Sequence, residues 1–183
     1  MNGARRRSRP QPLSHEALEV YALRALTRRP HSVAELRAKL LQRALPTASP
    51  AEILAGLSER GWLDDRRFAL GFARSRAARR YGRRRIAMEL RRRGVTDELI
   101  EEALAEVLPG EADERRMIRQ RLDRRLRGKP RPYTDKVVRS AYGSLLRAGF
   151  SSAIIRDELF KRTRRGLQGD DPEASGPLED QEA

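Results

Sequence analysis

Arg29-Pro30-His31-Ser32-Val33-Ala34-Glu35-Leu36-Arg37-Ala38-Lys39-Leu40 contains the end of one helix and the start of the next. Pro30 has no N–H to donate and its ring clashes with a preceding helical turn, so a helix arriving from the N-terminal side stops there. Ser32 and Glu35 form a capping box, in which the serine oxygen and the glutamate side chain satisfy backbone N–H groups that a helix start leaves unpaired. Leu36 and Leu40 then fall one turn apart on a single face. Upstream, Leu18, Tyr21, Ala22, Ala25 and Leu26 follow the i, i+3, i+4, i+7, i+8 spacing of a buried helical stripe. Downstream, Ser49, Pro50 and Glu52 combine an N-cap, a proline at the first helical position and a capping glutamate. They introduce Ile53, Leu54 and Leu57 in a helix that ends near Gly61. No stretch of useful length alternates as a strand would. The fold class is all-α.

The pattern recurs. With Ala44, Gly94 and Gly149 aligned as equivalent helix ends, Leu40, Leu90 and Leu145 lie four residues earlier, and Leu36, Ile86 and Ala141 eight earlier. Ile100 and Ile155 follow the two glycines by six residues, with Leu104 and Leu159 one turn further on. Ile53 and Leu57 match them if the 46–49 region is an insertion. A helical segment precedes each pair, over 15–28, 66–81 and 111–127. This predicts three three-helix repeats in tandem, over 14–63, 64–109 and 110–165. Units this small cannot each bury a large core, so stacking into an elongated, curved array is the expected architecture.

The 183 residues carry 40 Lys or Arg against 26 Asp or Glu, a net charge of +14, and a field of that sign attracts polyanions, nucleic acid above all. Only Lys39, Lys129, Lys136 and Lys161 are lysines. The N-terminal 1–13, with Arg5, Arg6, Arg7 and Arg9, reads as a disordered basic arm, since no apolar segment follows it as in a secretion signal. Residues 166–183, with Asp170, Asp171, Glu173, Glu179, Asp180 and Glu182 among Gly and Pro, read as a disordered acidic tail able to mask the basic body. Cysteine is absent, which excludes disulfides, thiolate catalysis and Cys-ligated zinc and fits a reducing cytoplasm. No apolar run is long enough to span a bilayer.

Residues that could carry chemistry have simpler structural readings. Asp64 and Asp65 do not face each other as a catalytic or metal-binding pair would, and either can cap the helix that follows. Trp62 could stack on a base, but a position just after Gly61 favours packing against a Schellman-type helix end. Phe68 and Phe72 read as core. Gly82 and Gly94 are expected at helix ends with positive φ, and neither belongs to a phosphate loop. His15 and His31 lack metal-ligand spacing, and His31 reads as an exposed turn residue. No nucleophile–base set is suggested, so the chain reads as a binding protein and not an enzyme, with no metal or cofactor.

The functional candidate is a run of arginines. From Arg74 to Arg93 there are ten Arg and one acid, Glu89. Arg76, Arg79, Arg80 and Arg83 recur at helical spacing and are expected on one helical face, with Arg84, Arg91 and Arg92 extending the basic surface on the next helix. Like charges one turn apart repel, and an anionic partner would relieve that.

Gly61-Trp62-Leu63-Asp64-Asp65-Arg66-Arg67-Phe68-Ala69, then Tyr81-Gly82-Arg83-Arg84-Arg85-Ile86-Ala87-Met88-Glu89-Leu90 and Arg93-Gly94-Val95, resemble the RecX family of regulators of the bacterial RecA recombinase. The stretch quoted first resembles that family's first unit, and the resemblance covers about 15–165. It implies three tandem three-helix units and a monomeric cytoplasmic protein that binds RecA or its filament on single-stranded DNA. The implied outcome is inhibition of ATP hydrolysis, strand exchange and the DNA-damage response. The alternative is a stand-alone helical DNA- or RNA-binding protein. A recognition helix for that role would present Asn, Gln and Arg together, yet Asn occurs only at position 2.

Overall fold

The structure is a computed structural model that describes residues 11–108 and 110–165. The described residues form nine helices: α1 (His15–Arg28), α2 (Val33–Leu41), α3 (Pro50–Glu59), α4 (Asp65–Ala78), α5 (Arg83–Arg91), α6 (Asp97–Val107), α7 (Glu111–Leu126), α8 (Asp135–Arg147) and α9 (Ser152–Arg165). They fall into three triplets, as the repeated Leu, Gly and Ile positions require. Most of the N-terminal arm, 1–10, and the whole acidic tail, 166–183, lie outside the described residues. Leu13 is already engaged, since its N–H donates to Arg43 O at 2.6 Å and its carbonyl accepts from Leu45 N–H at 3.0 Å. The expected disorder therefore does not extend to residue 13.

The helix starts are those the sequence predicts. Ser32 Oγ accepts the Glu35 N–H at 3.0 Å and Ser49 Oγ accepts that of Glu52 at 3.4 Å. Asp64 Oδ1 accepts the Arg67 N–H at 2.9 Å, so Asp64 caps α4. Asp65 has a separate task, because its Oδ1 accepts the Val33 N–H at 2.8 Å and caps α2 from another repeat. The ends after α3, α5 and α8 share one device. Gly61, Gly94 and Gly149 have φ of 68°, 75° and 88°. The next residue bonds back five positions: Trp62 N–H to Leu57 O, Val95 N–H to Leu90 O, and Phe150 N–H to Leu145 O.

The chain forms two compact units, Met1–Arg79 with Ile86–Pro109, and Arg80–Arg85 with Gly110–Ala183. In the first unit, Leu18, Leu36, Leu40, Ile53 and Leu57 close the core of α1–α3. Phe68, Ile86, Leu90, Ile100 and Leu104 are buried in the second triplet, where α4 packs on α6. In the second unit, Ile118, Leu122, Leu145, Phe150 and Ile155 are buried together, with Tyr81 packed against them. At about 25 cal/mol per Å² of apolar surface removed from water, each such side chain contributes ~1.5–3 kcal/mol.

Three expectations need correction. Gly82 does not have a positive φ. It is required for space, since a Cβ there would lie 2.4 Å from Gly149 O, and the non-glycine residue in the left-handed region is Arg80, at φ 60°. Trp62 is not packed away but 51% exposed, and Leu63 is the residue that fills the core beyond the α3 end. His31 is buried, at 4% exposure, because its Nδ1–H bonds to Arg29 O at 2.9 Å and folds the ring back under the α1–α2 turn.

Candidate interaction surface

The arginine run is divided by the backbone. α4 ends at Ala78, Arg79 is its C-cap and Arg80 turns left-handed, so Arg76, Arg79, Arg80 and Arg83 do not share a continuous helical face. Residues 80–85 belong to the second unit. There Gly82 N–H donates to Ala148 O at 2.8 Å, Arg84 N–H to Gly149 O at 3.1 Å, and Arg121 Nη1 to Arg80 O at 2.9 Å. Arg85 lies over the Tyr81 ring at 4.3 Å and donates to Arg147 O at 3.1 Å.

The run is also not bare charge. Arg76 pairs with Glu89 at 2.8 Å and lies over the Phe72 ring at 4.9 Å. Helix α6 supplies acids absent from the linear run: Glu106 pairs with Arg74, Glu102 with Arg66, and Asp97 with Arg91 at 2.6 Å. Arg93 bridges to Glu35 at 3.4 Å and covers Phe72 at 4.5 Å. Exposed ion pairs contribute only ~0.2–1 kcal/mol each, but they neutralise part of the charge offered to an outside anion. Arg79, Arg84 and Arg92 are exposed, and their side chains make no hydrogen bond or ion pair among the described residues. Arg80 and Arg83 are half-buried.

A second set of residues, which the linear pattern does not bring together, lines a depression of about 870 Å³ in the first unit. Trp62, Phe68 and Phe72 supply aromatic surface there, and Arg29, Arg67 and Arg93 supply cations. Phe68 and Phe72 stack at 6.1 Å between centroids, so Phe72 is half-buried aromatic surface capped by guanidinium groups, not interior core. His31 lines this depression and also a neighbouring one of about 420 Å³ with Arg24, Arg28 and Lys39. Burial holds the His31 pKa below its ordinary value, with Arg29 and Lys39 adding to the effect and the Arg29 carbonyl and Glu35 opposing it. Burial likewise raises the Asp65 carboxyl, against the lowering effect of the Val33 N–H. The sequence offered one pointer to this site, the option that Trp62 stacks on a base, and it favoured packing instead.

Residues 20–55 match the family model described as RecX, first three-helix domain, and residues 64–104 the one described as RecX, second three-helix domain. The regulatory protein RecX of Mycobacterium sp. (strain JLS) is 40% identical over 153 residues, spanning 80% of this chain and 82% of that protein. That of Halorhodospira halophila is 42% identical over 106 residues, 58% of this chain and 66% of that one. The crystal structure of RecX from Lactobacillus salivarius superposes with a TM-score of 0.67 at 20% identity, covering 81% of this chain and 96% of that one, a likeness of fold. The helix triplets, their shared glycine ends and the length of these matches together place the chain in the RecX family of regulatory proteins.

Proposed function

We propose that the chain binds the RecA recombinase, or its filament on single-stranded DNA, and inhibits ATP hydrolysis, strand exchange and the DNA-damage response that depend on it. It acts as a cytoplasmic, monomeric regulator and not as an enzyme. The observation that carries this reading is membership of a regulatory family, with 40% identity to one member over most of both chains. The net charge of +14 suits a partner whose field is negative. Among the described residues, no helix is long and apolar enough to cross a membrane.

Within this reading, Arg79, Arg84 and Arg92 are the contacts to filament protein or DNA, with Arg80 and Arg83 in support. Arg76 and Arg91 serve mainly to hold Glu89 and Asp97. The test is an ATPase and strand-exchange assay of the cognate recombinase with added protein. Dose-dependent inhibition is expected. No effect at any stoichiometry would remove the reading. A folded Arg79→Ala, Arg84→Ala, Arg92→Ala variant should bind the filament more weakly and with a flatter salt dependence, as lost phosphate or carboxylate contacts require.

A further inference from the structure

Helix α4 carries a glycine in its interior that nothing around it demands. Gly71 has no positive φ, and a Cβ built on it would meet no atom within 4 Å. Glycine in a helix interior is less favourable than alanine, because it loses more backbone freedom on folding. Here that cost keeps the floor of the aromatic depression bare, because Gly71 lines it beside Trp62, Phe72 and Arg67.

The depression adjoins a cationic one whose lining includes Arg24, Arg28 and Lys39 and no acid, and both share Arg29 and His31. His31 is buried, and its Nδ1–H is spent on the Arg29 carbonyl. Its Nε2 has no hydrogen-bond partner. Arg67 and Arg93 each use part of their five donors on Gly61 O and on Glu89 O and Glu35, so both are fixed in place with donors to spare.

Aromatic surface next to an acid-free cluster of cations matches a planar ring attached to a phosphate. We propose that the two depressions form a nucleotide site, with the base on the exposed Trp62 indole, which Arg60 covers from one face at 5.6 Å, and its phosphate over Arg24, Arg28 and Lys39. An acidic peptide would match the cations, but it leaves the exposed indole and the bare floor at Gly71 without a purpose. The site goes beyond the regulatory reading: it shares only Ser75 and Arg93 with the 74–93 run and requires no recombinase.

Trp62 is the single tryptophan, so its fluorescence reports on the site directly. An oligothymidylate, thymidine monophosphate, inorganic tripolyphosphate and a polyglutamate peptide are titrated in turn against the full chain, without recombinase. Saturable quenching by the oligonucleotide or the mononucleotide, and not by tripolyphosphate, is expected. Tighter binding of the oligonucleotide assigns the site to a single strand, and equal binding assigns it to free nucleotides. Gly71→Leu fills the floor without changing any charge and should weaken binding about tenfold, the size of one lost base stack. Trp62→Ala, read by anisotropy of a labelled oligonucleotide, should do the same in case Gly71→Leu is poorly folded. Arg24→Gln with Arg28→Gln should lower the salt slope. Equal response to tripolyphosphate, response to a polyglutamate peptide alone, or unchanged affinity in a Gly71→Leu or Trp62→Ala variant that melts like the parent would each overturn the proposal.

Discussion

Gly82 and Gly149 meet backbone to backbone: a Cβ on Gly82 would lie 2.4 Å from the Gly149 carbonyl oxygen, and one on Gly149 would lie 2.4 Å from the Arg85 N. The same joint occurs in the first unit, where Gly94 closes α5 against Ala34 near the start of α2. In both places the residue leading into the second helix of one triplet bonds to a carbonyl at the end of the second helix of the next. Ser32 Oγ donates to Arg93 O in one joint, and Gly82 N–H to Ala148 O in the other. Ala44, the equivalent end in the first triplet, bridges to Leu13.

Three glycines separate the two reasons for having glycine. Gly61 has φ 68° and open space, Gly82 has only the close approach, and Gly149 has both. Alanine at Gly61 should cost about 1–2 kcal/mol of backbone strain, and at Gly82 about 1–3 kcal/mol of overpacking. Gly149→Ala should exceed either. Urea melts of the three variants give the order directly. Gly61→Ala as the most destabilising would contradict it.

At the Gly94 joint the obstructing atom is a side chain, the Ala34 Cβ, at 2.3 Å from the built Cβ. Gly94→Ala should therefore be partly rescued by Ala34→Gly, leaving the φ strain and the helix cost of the new glycine. A double-mutant cycle should show a favourable coupling of about 0.5–3 kcal/mol. Strict additivity would place the joint elsewhere.

Asp65 links two triplets through the Val33 N–H, yet burial raises its pKa, so its charge is a cost there while its hydrogen bond is a gain. Asp65→Asn keeps an acceptor and should change stability little, whereas Asp65→Ala should lose about 1–2 kcal/mol, as for a lost N-cap. Equal losses in the two thermal melts would mean that the charge, not the acceptor, matters.

Burial holds the folded pKa of His31 below its ordinary value of 6.5. Below 6.5 the unfolded chain then binds more protons than the folded one, so the stability associated with the neutral ring is intact above 6.5. It is lost as pH falls through the folded value. Arg29, Lys39, Arg67 and Arg93 face this region as cations, against Glu35 and Asp64 as acids. Melting temperatures from about pH 8 down to about pH 5 should fall for the parent chain, and by less for His31→Asn, whose amide can still donate to the Arg29 carbonyl. Identical profiles would show that other groups set the acid response.

Much of the fold is legible in local pattern. Ser32, Glu35, Ser49, Pro50 and Asp64 act within a few residues of themselves, and a capping geometry that short-ranged can be read from spacing. The Leu40, Leu90 and Leu145 alignment likewise follows from the repeat. The candidate surface was less legible. Arg76 and Arg91 looked like bare charge because Glu89 and Asp97 reach them only through folded geometry, and Arg74 meets Glu106 only when α4 packs on α6.

By itself the sequence determined an all-helical chain of three triplets, its helix starts and ends, its positive charge and its family, because each rests on neighbours within a turn or on a pattern that repeats. Only the tertiary structure decided why Gly82 and Gly149 must be glycine, that His31 is buried, and that Trp62, Phe72 and Gly71 share one depression with Arg29 and Arg93. Those facts depend on atoms distant in the chain approaching within a few ångströms, and helical periodicity shows which face is buried but not what it will meet.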